Sequence, residues 1–228
     1  MPKKTKARKV TDSEKAWNRK PKPTAYRIEE IPINKTILIV CEGQTEELYF
    51  KSFPVLGLRV DAINLEGQSK LKMVESTQDI VSSADVAYDE IWCVFDMDVR
   101  RGEVEFSDFD NAIRQAESLG YKAAYSNDAF ELWFYLHFEY TDAEHHRTFY
   151  YEELGKRLGL NYEKDGKRYN FCQKLYKVLE ALEQCSQAKA IERASSLYKE
   201  KSDLPYHQQN PVTKVFELVE ELNLNLRR

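Results

Sequence analysis

Two kinds of hydrophobic pattern divide the chain. Thr36-Ile-Leu-Ile-Val-Cys41 and Ile91-Trp-Cys-Val-Phe95 are unbroken apolar runs rich in β-branched and aromatic residues, the pattern of strands covered on both faces. Arg59 to Leu65 and Tyr121 to Tyr125 read as shorter strands. Between them the apolar positions fall at helical spacing: Leu48, Phe50 and Phe53 after a tight turn at Glu42-Gly-Gln-Thr45, then 70 to 82, then 107 to 119. Thr45 is expected to cap the first of these helices, and Gly120 to close the third in a left-handed C-cap. Alternating strands and helices predict an α/β fold with a mainly parallel sheet flanked by helices.

From Asn127 onward the pattern is helical only. Asn127 or Asp128 is expected to cap a helix reaching Phe138, followed by helices near 148 to 158, 170 to 182, 186 to 200 and 211 to 223, the last starting at Asn210-Pro211. The spans 139 to 146 and 161 to 170 read as polar loops. The organisation expected is a basic arm over 1-32, an α/β core over 33-138 and a C-terminal helical part over 139-228 packed on that core.

Charge separates the arm from the rest. Residues 1 to 27 hold ten Lys or Arg against two acidic residues, a net of +8, so the formal −4 of the whole chain leaves −12 on the remainder. Such an arm either follows a phosphate backbone by displacing counter-ions or acts as a solubilising tail. The apolar runs are far shorter than the roughly 20 residues needed to span a bilayer, and no apolar stretch follows the basic N-terminus as in a secretory signal. A cytoplasmic location and no membrane association are expected. Cys41, Cys93, Cys172 and Cys185 form no C-x-x-C pair and read as reduced cysteines of the core.

The candidate chemistry lies at strand ends. Glu42 ends the first central strand, and Asp96 and Asp98 end the third, so all three should meet at the carboxyl edge of the sheet, where open α/β folds place their sites. In an extended segment residues two apart point the same way, so Asp96 and Asp98 can share a target. Converging carboxylates suit Mg2+ or Mn2+, which would offset the charge of a phosphodiester and lower the pKa of an attacking water. Glu42 is either a ligand or the general base. Glu131, in the first turn of its helix, is either a capping carboxylate or a contact to metal or substrate, and Glu46 carries the same ambiguity. Lys70, Arg100 and Arg101 are candidates for holding phosphate, against solvated surface roles. Phe130, Phe134, His137 and Phe138 form a helical stripe, read as core in preference to a base-stacking platform. Asp142, His145 and His146 imitate a metal cluster but lie on a polar loop.

The blocks Ile37-Leu-Ile-Val-Cys-Glu42-Gly-Gln-Thr-Glu46, Trp92-Cys-Val-Phe-Asp96-Met-Asp98, Ser126-Asn-Asp-Ala-Phe130-Glu131-Leu-Trp133 and Asn210-Pro-Val-Thr213, in that order, resemble the signature blocks of RloB-like proteins. The resemblance spans about 36 to 222, with Asp128 standing where the family commonly has Pro. It implies a Toprim-like fold in which Glu42, Asp96 and Asp98 bind Mg2+, and a divalent-metal-dependent nuclease acting on RNA or DNA, with tRNA among the possible targets. It also implies a place in bacterial anti-phage defence beside an ABC-like AAA ATPase. A homo-oligomer is compatible with it. The chain has no G-x-x-x-x-G-K-[ST] loop, so ATP-driven control would come from that partner. Two alternatives remain at this stage. Val94-Phe-Asp96-Met-Asp98 also fits the nucleophile strand of haloacid-dehalogenase-like phosphatases, although a full βαβ unit precedes it and Glu42 would be idle. The chain could also be a non-catalytic nucleic-acid-binding subunit.

Overall fold

The computed structural model describes residues 35–98 and 103–227, of which 103–105 by backbone alone. The basic arm and the candidates Arg100 and Arg101 lie outside the described residues.

Four strands, β1 (Lys35–Cys41), β2 (Leu58–Asn64), β3 (Glu90–Asp96) and β4 (Lys122–Ser126), form one sheet in the order β2-β1-β3-β4, every pair parallel. The two runs read as doubly covered strands are the two central ones. Ile37 to Cys41 and Trp92 to Phe95 are all buried. Each such side chain withdrawn from water contributes about 1.5–3 kcal/mol.

Helices α1 (Gln44–Lys51), α2 (Lys70–Ser83) and α3 (Glu103–Ser118) link the strands. Gly120 has φ +77°, and Tyr121 N bonds back to Ala116 O, the helix stop expected there. Ser69 caps α2 by accepting from Lys72 N. Thr45 does not cap α1: the helix begins one residue earlier, Gly43 is its N-cap without a side-chain bond, and Thr45 faces Cys172 inside the protein.

The C-terminal part consists of α4 (Glu131–Leu136), α5 (Arg147–Leu158), α6 (Tyr169–Cys172), α7 (Leu175–Ala181), α8 (Gln187–Lys201) and α9 (Val215–Asn223). One hydrophobic cluster runs from Ile37 to Leu222, so these helices share the core of the sheet. Phe130, Phe134 and His137 are buried in it, and the stripe is core. Burial pushes the His137 imidazole down to about 4, and its Nδ1 lies 2.9 Å from Trp133 O, the arrangement of a neutral core histidine.

Three helical boundaries differ from the sequence pattern. Asn127 and Asp128 do not cap α4, because their polar groups bond elsewhere: Asn127 N donates to Val212 O, and Asp128 Oδ2 accepts from Arg147 N. The helix expected from Asn210-Pro211 starts only at Val215. Thr213 pairs antiparallel with Ser126, and Lys214 N donates to Tyr125 O, so 212 to 214 run extended beside the end of β4. The span 170 to 182 is two helices, and the polar stretch before it contains a π-helical turn, Tyr162–Gly166, whose Tyr162 is buried.

Candidate functional site

The sheet reverses its direction of growth between β1 and β3, and a ligand crevice forms at such a switch point, outside the carboxyl ends of the strands. Cys41 is in register with Val94, and Glu42 N bonds to Val94 O at 3.1 Å, which sets Glu42 and Asp96 side by side across the switch. Glu42 Oε2 accepts from Asp96 N at 3.3 Å, and its Oε1 accepts from Lys70 Nζ at 3.2 Å. Lys70 is buried at the start of α2, whose first amides, Lys70 N and Leu71 N, are held by the Asp108 carboxylate of α3. Its Nζ therefore meets a carboxylate of the sheet edge and is not a solvated surface charge.

Asp96 Oδ1 is sealed from solvent and has no hydrogen-bond partner among the described residues. Burial pushes the Asp96 carboxyl well above its ordinary pKa, and the charges of Glu46, Glu131 and Glu42 push it the same way while Arg147 opposes them. Glu46 stands in the first turn of α1. Burial, with Glu131 and Glu42 adding to it, raises its carboxyl from 4.5 to about 7 against the opposing pull of its own backbone amide and Lys167. Gly43 leaves it room, since a Cβ there would lie 2.9 Å from Glu46 Oε2. Glu131, at the start of α4, is buried, with Oε1 3.4 Å from Lys167 Nζ.

Asp98 is placed differently from the expectation of a strand continuing through it. It has left the strand with φ +51°, a left-handed conformation that Asp tolerates better than most residues, so the two-residue alternation does not carry over from Asp96. Its N donates to Asp128 O, and its Oδ1 lies 2.6 Å from Arg147 Nη2. Among the described residues no three His, Cys, Asp or Glu side chains are grouped as ligands of one ion. Glu42, Asp96 and Asp98 thus share one edge without forming a preassembled cage. Asp142, His145 and His146 form no such group either: His145 stacks on Phe149 with centroids 3.7 Å apart, and the His146 side chain caps α5. All four cysteines are free thiols.

Arg147 and Lys167 carry no signal in the sequence, and Asp128 reads there only as a helix cap. Arg147 opens α5 after a loop, and Lys167 follows the π-helical turn. No local spacing ties either to residues 42 or 96, and only the packing of α5 and that turn against the sheet edge brings them in.

An all-parallel sheet with carboxylates gathered at its switch point defines a class of α/β proteins with a strand-end acidic site. Within that class the chain belongs to the RloB-like protein family, whose model matches residues 37–222. No curated protein and no solved structure matches the chain. No helix among the described residues is long and apolar enough to cross a membrane.

Proposed function

We propose that the chain is a divalent-metal-dependent nuclease that cleaves phosphodiester bonds of RNA or DNA. The observation that carries this reading is the buried Asp96 Oδ1, without a hydrogen-bond partner among the described residues, beside the carboxylates of Glu46, Glu131 and Glu42, whose charges add to burial in raising the Asp96 carboxyl. Carboxylates crowded in this way are unfavourable unless positive charge is supplied, and an oxygen-only donor set fits Mg2+ or Mn2+. Asp96, Glu42 and Asp98 are the residues that would hold the ion, with Glu131 at its rim. The ion would supply charge neutralisation at phosphorus and a more acidic water. Glu46, with its carboxyl near neutrality, is matched to removing a proton from that water. Lys70 orients Glu42 through the 3.2 Å contact.

The wider reading, a role in bacterial anti-phage defence under the control of a neighbouring ABC-like AAA ATPase with tRNA or DNA as target, is supported by family membership. The test is incubation with total RNA and plasmid DNA in Mg2+ or Mn2+, with and without that ATPase, using Glu42→Gln, Asp96→Asn and Asp98→Asn beside the parent chain. The expected outcome is strand breaks that each substitution abolishes in a folded protein, and no turnover of p-nitrophenyl phosphate. Monoester hydrolysis that survives Glu42→Gln but not Asp96→Asn would establish the phosphatase in its place.

A further inference from the structure

Among the described residues, three basic side chains reach the acidic edge from elements far apart in sequence: Lys70 on α2, Arg147 on α5 and Lys167 before α6. They are held in different ways. Lys70 is buried against Glu42. Arg147 Nη2 lies 2.6 Å from Asp98 Oδ1, and Nε lies 3.8 Å from Asp128 Oδ2. Yet both nitrogens are sealed from solvent without an aligned hydrogen bond among the described residues. A buried polar group in that condition carries a desolvation cost that an acceptor of suitable shape would recover. A guanidinium fork matches phosphate oxygens in this respect.

Lys167 has its short bond not to a carboxylate but to Tyr151 Oη, at 2.6 Å, and its Nζ stands 4.4 Å from the centre of the same ring. The contact to Glu131 is the longer one, 3.4 Å, and the Lys167 side chain is 40% exposed. Tyr151 therefore holds the ammonium at the rim, where it can leave Glu131 without losing its anchor. Arg147 is anchored through its main chain, because its backbone N donates to Asp128 Oδ2 at 3.1 Å beside the longer guanidinium contact.

We propose that Arg147 and Lys167 are exchangeable counter-ions: they occupy Asp98 and Glu131 in the ion-free protein, release them to an incoming divalent cation, and then grip a phosphate of the nucleic-acid backbone. The identity of the ligand rests on the nuclease reading; the exchange itself rests on the contacts above. One charge set then serves two states, and the chain's own cations compete with the metal until substrate draws them away.

The exchange is read by binding, without turnover. Mn2+ affinity of the full chain, measured by calorimetry, is compared for Lys167→Met, Lys167→Arg and a control, Lys156→Met, which removes the same charge from an exposed lysine paired with Glu153. Loss of the competing ammonium should tighten Mn2+ binding about tenfold in Lys167→Met relative to the control, within the usual range of coupling between sites. Lys167→Arg should behave as the parent. In Ca2+, affinity for a short single-stranded oligonucleotide, in DNA and RNA versions, should fall about tenfold in Lys167→Met and in Arg147→Met, as expected for loss of a charge-assisted contact. Arg147→Lys, which keeps the charge, serves if Arg147→Met does not fold, with a smaller loss expected. Equal Mn2+ affinity in Lys167→Met and Lys156→Met, or oligonucleotide binding unchanged in the Lys167 and Arg147 variants, overturns the proposal. Absence of strand cleavage by the parent chain would sink the nuclease reading and leave the binding exchange to be judged on these measurements.

Discussion

Replacing Glu46 by Gln should stabilise the ion-free protein, and do so only at high pH. The Glu46 carboxyl is raised from 4.5 to about 7 in the fold, chiefly by burial. Between those two values the folded chain binds more protons than the unfolded one, so its stability falls as pH rises through that window and levels off above it. At 1.36 kcal/mol for each pH unit separating the two values, full ionisation in the folded state costs about 3 kcal/mol. Gln keeps the shape and removes the charge. In chelator, Glu46→Gln should therefore match the parent near pH 4 and exceed it near pH 8, by about 1–3 M in the urea midpoint for a slope of 1–3 kcal/mol per molar. Asp96 is raised for the same reason, so some pH dependence survives the substitution, reduced because Asp96 no longer faces the Glu46 charge. Urea titrations at several pH values between 4 and 8, followed by tryptophan fluorescence, give the profile. A variant with the parent's slope, or one less stable than the parent at pH 8, would show that Glu46 is not held against its charge.

Gly43→Ala places a methyl 2.9 Å from Glu46 Oε2, the end of a movable side chain. The fold should lose at most about 1 kcal/mol at this cap, whereas the high-pH destabilisation seen in urea titrations should shrink as Glu46 is displaced. Gly120→Ala meets no atom within 4 Å but must hold φ +77°, so a loss of about 1–2 kcal/mol from backbone strain alone is expected in the same assay. Deleting residues 1 to 27, with their net +8, should weaken nucleic-acid binding and flatten the slope of log affinity against log salt; an unchanged slope would make the arm a solubilising tail.

What the sequence made legible was whatever is encoded over short distances. Ile37 to Cys41 and Ile91 to Phe95 could be read as central strands because burial on both faces leaves no polar alternation, and from them followed Glu42 and Asp96 at one sheet edge. Gly120 was legible because its position after α3 demands a left-handed residue. Failures occurred where a polar group had a distant partner. Asp128 looks like a helix cap until Arg147 N is known to use it, and Pro211 looks like a first helical residue until 212 to 214 are seen to pair with the end of β4. Asp98 reads as a continuation of the strand, but its backbone turns left-handed and its carboxylate goes to Arg147. Lys167 carried no signal, because what makes it special is Tyr151 and Glu131, 16 and 36 positions away in the sequence.

The antiparallel pairing of Thr213 with Ser126 has a consequence in time. Ser126 Oγ and Thr213 Oγ1 are 2.8 Å apart but 87 residues apart along the chain, and Ser126 O in turn accepts from Met97 N between the two aspartates. At roughly 5–20 residues per second of synthesis, the partner of Ser126 appears about 4–17 s after it. Until then the backbone beside Asp96 and Asp98 lacks its last neighbour. A protease that clips the chain before Thr213 should thus yield a protein whose sheet is largely paired and whose acidic edge is unfinished.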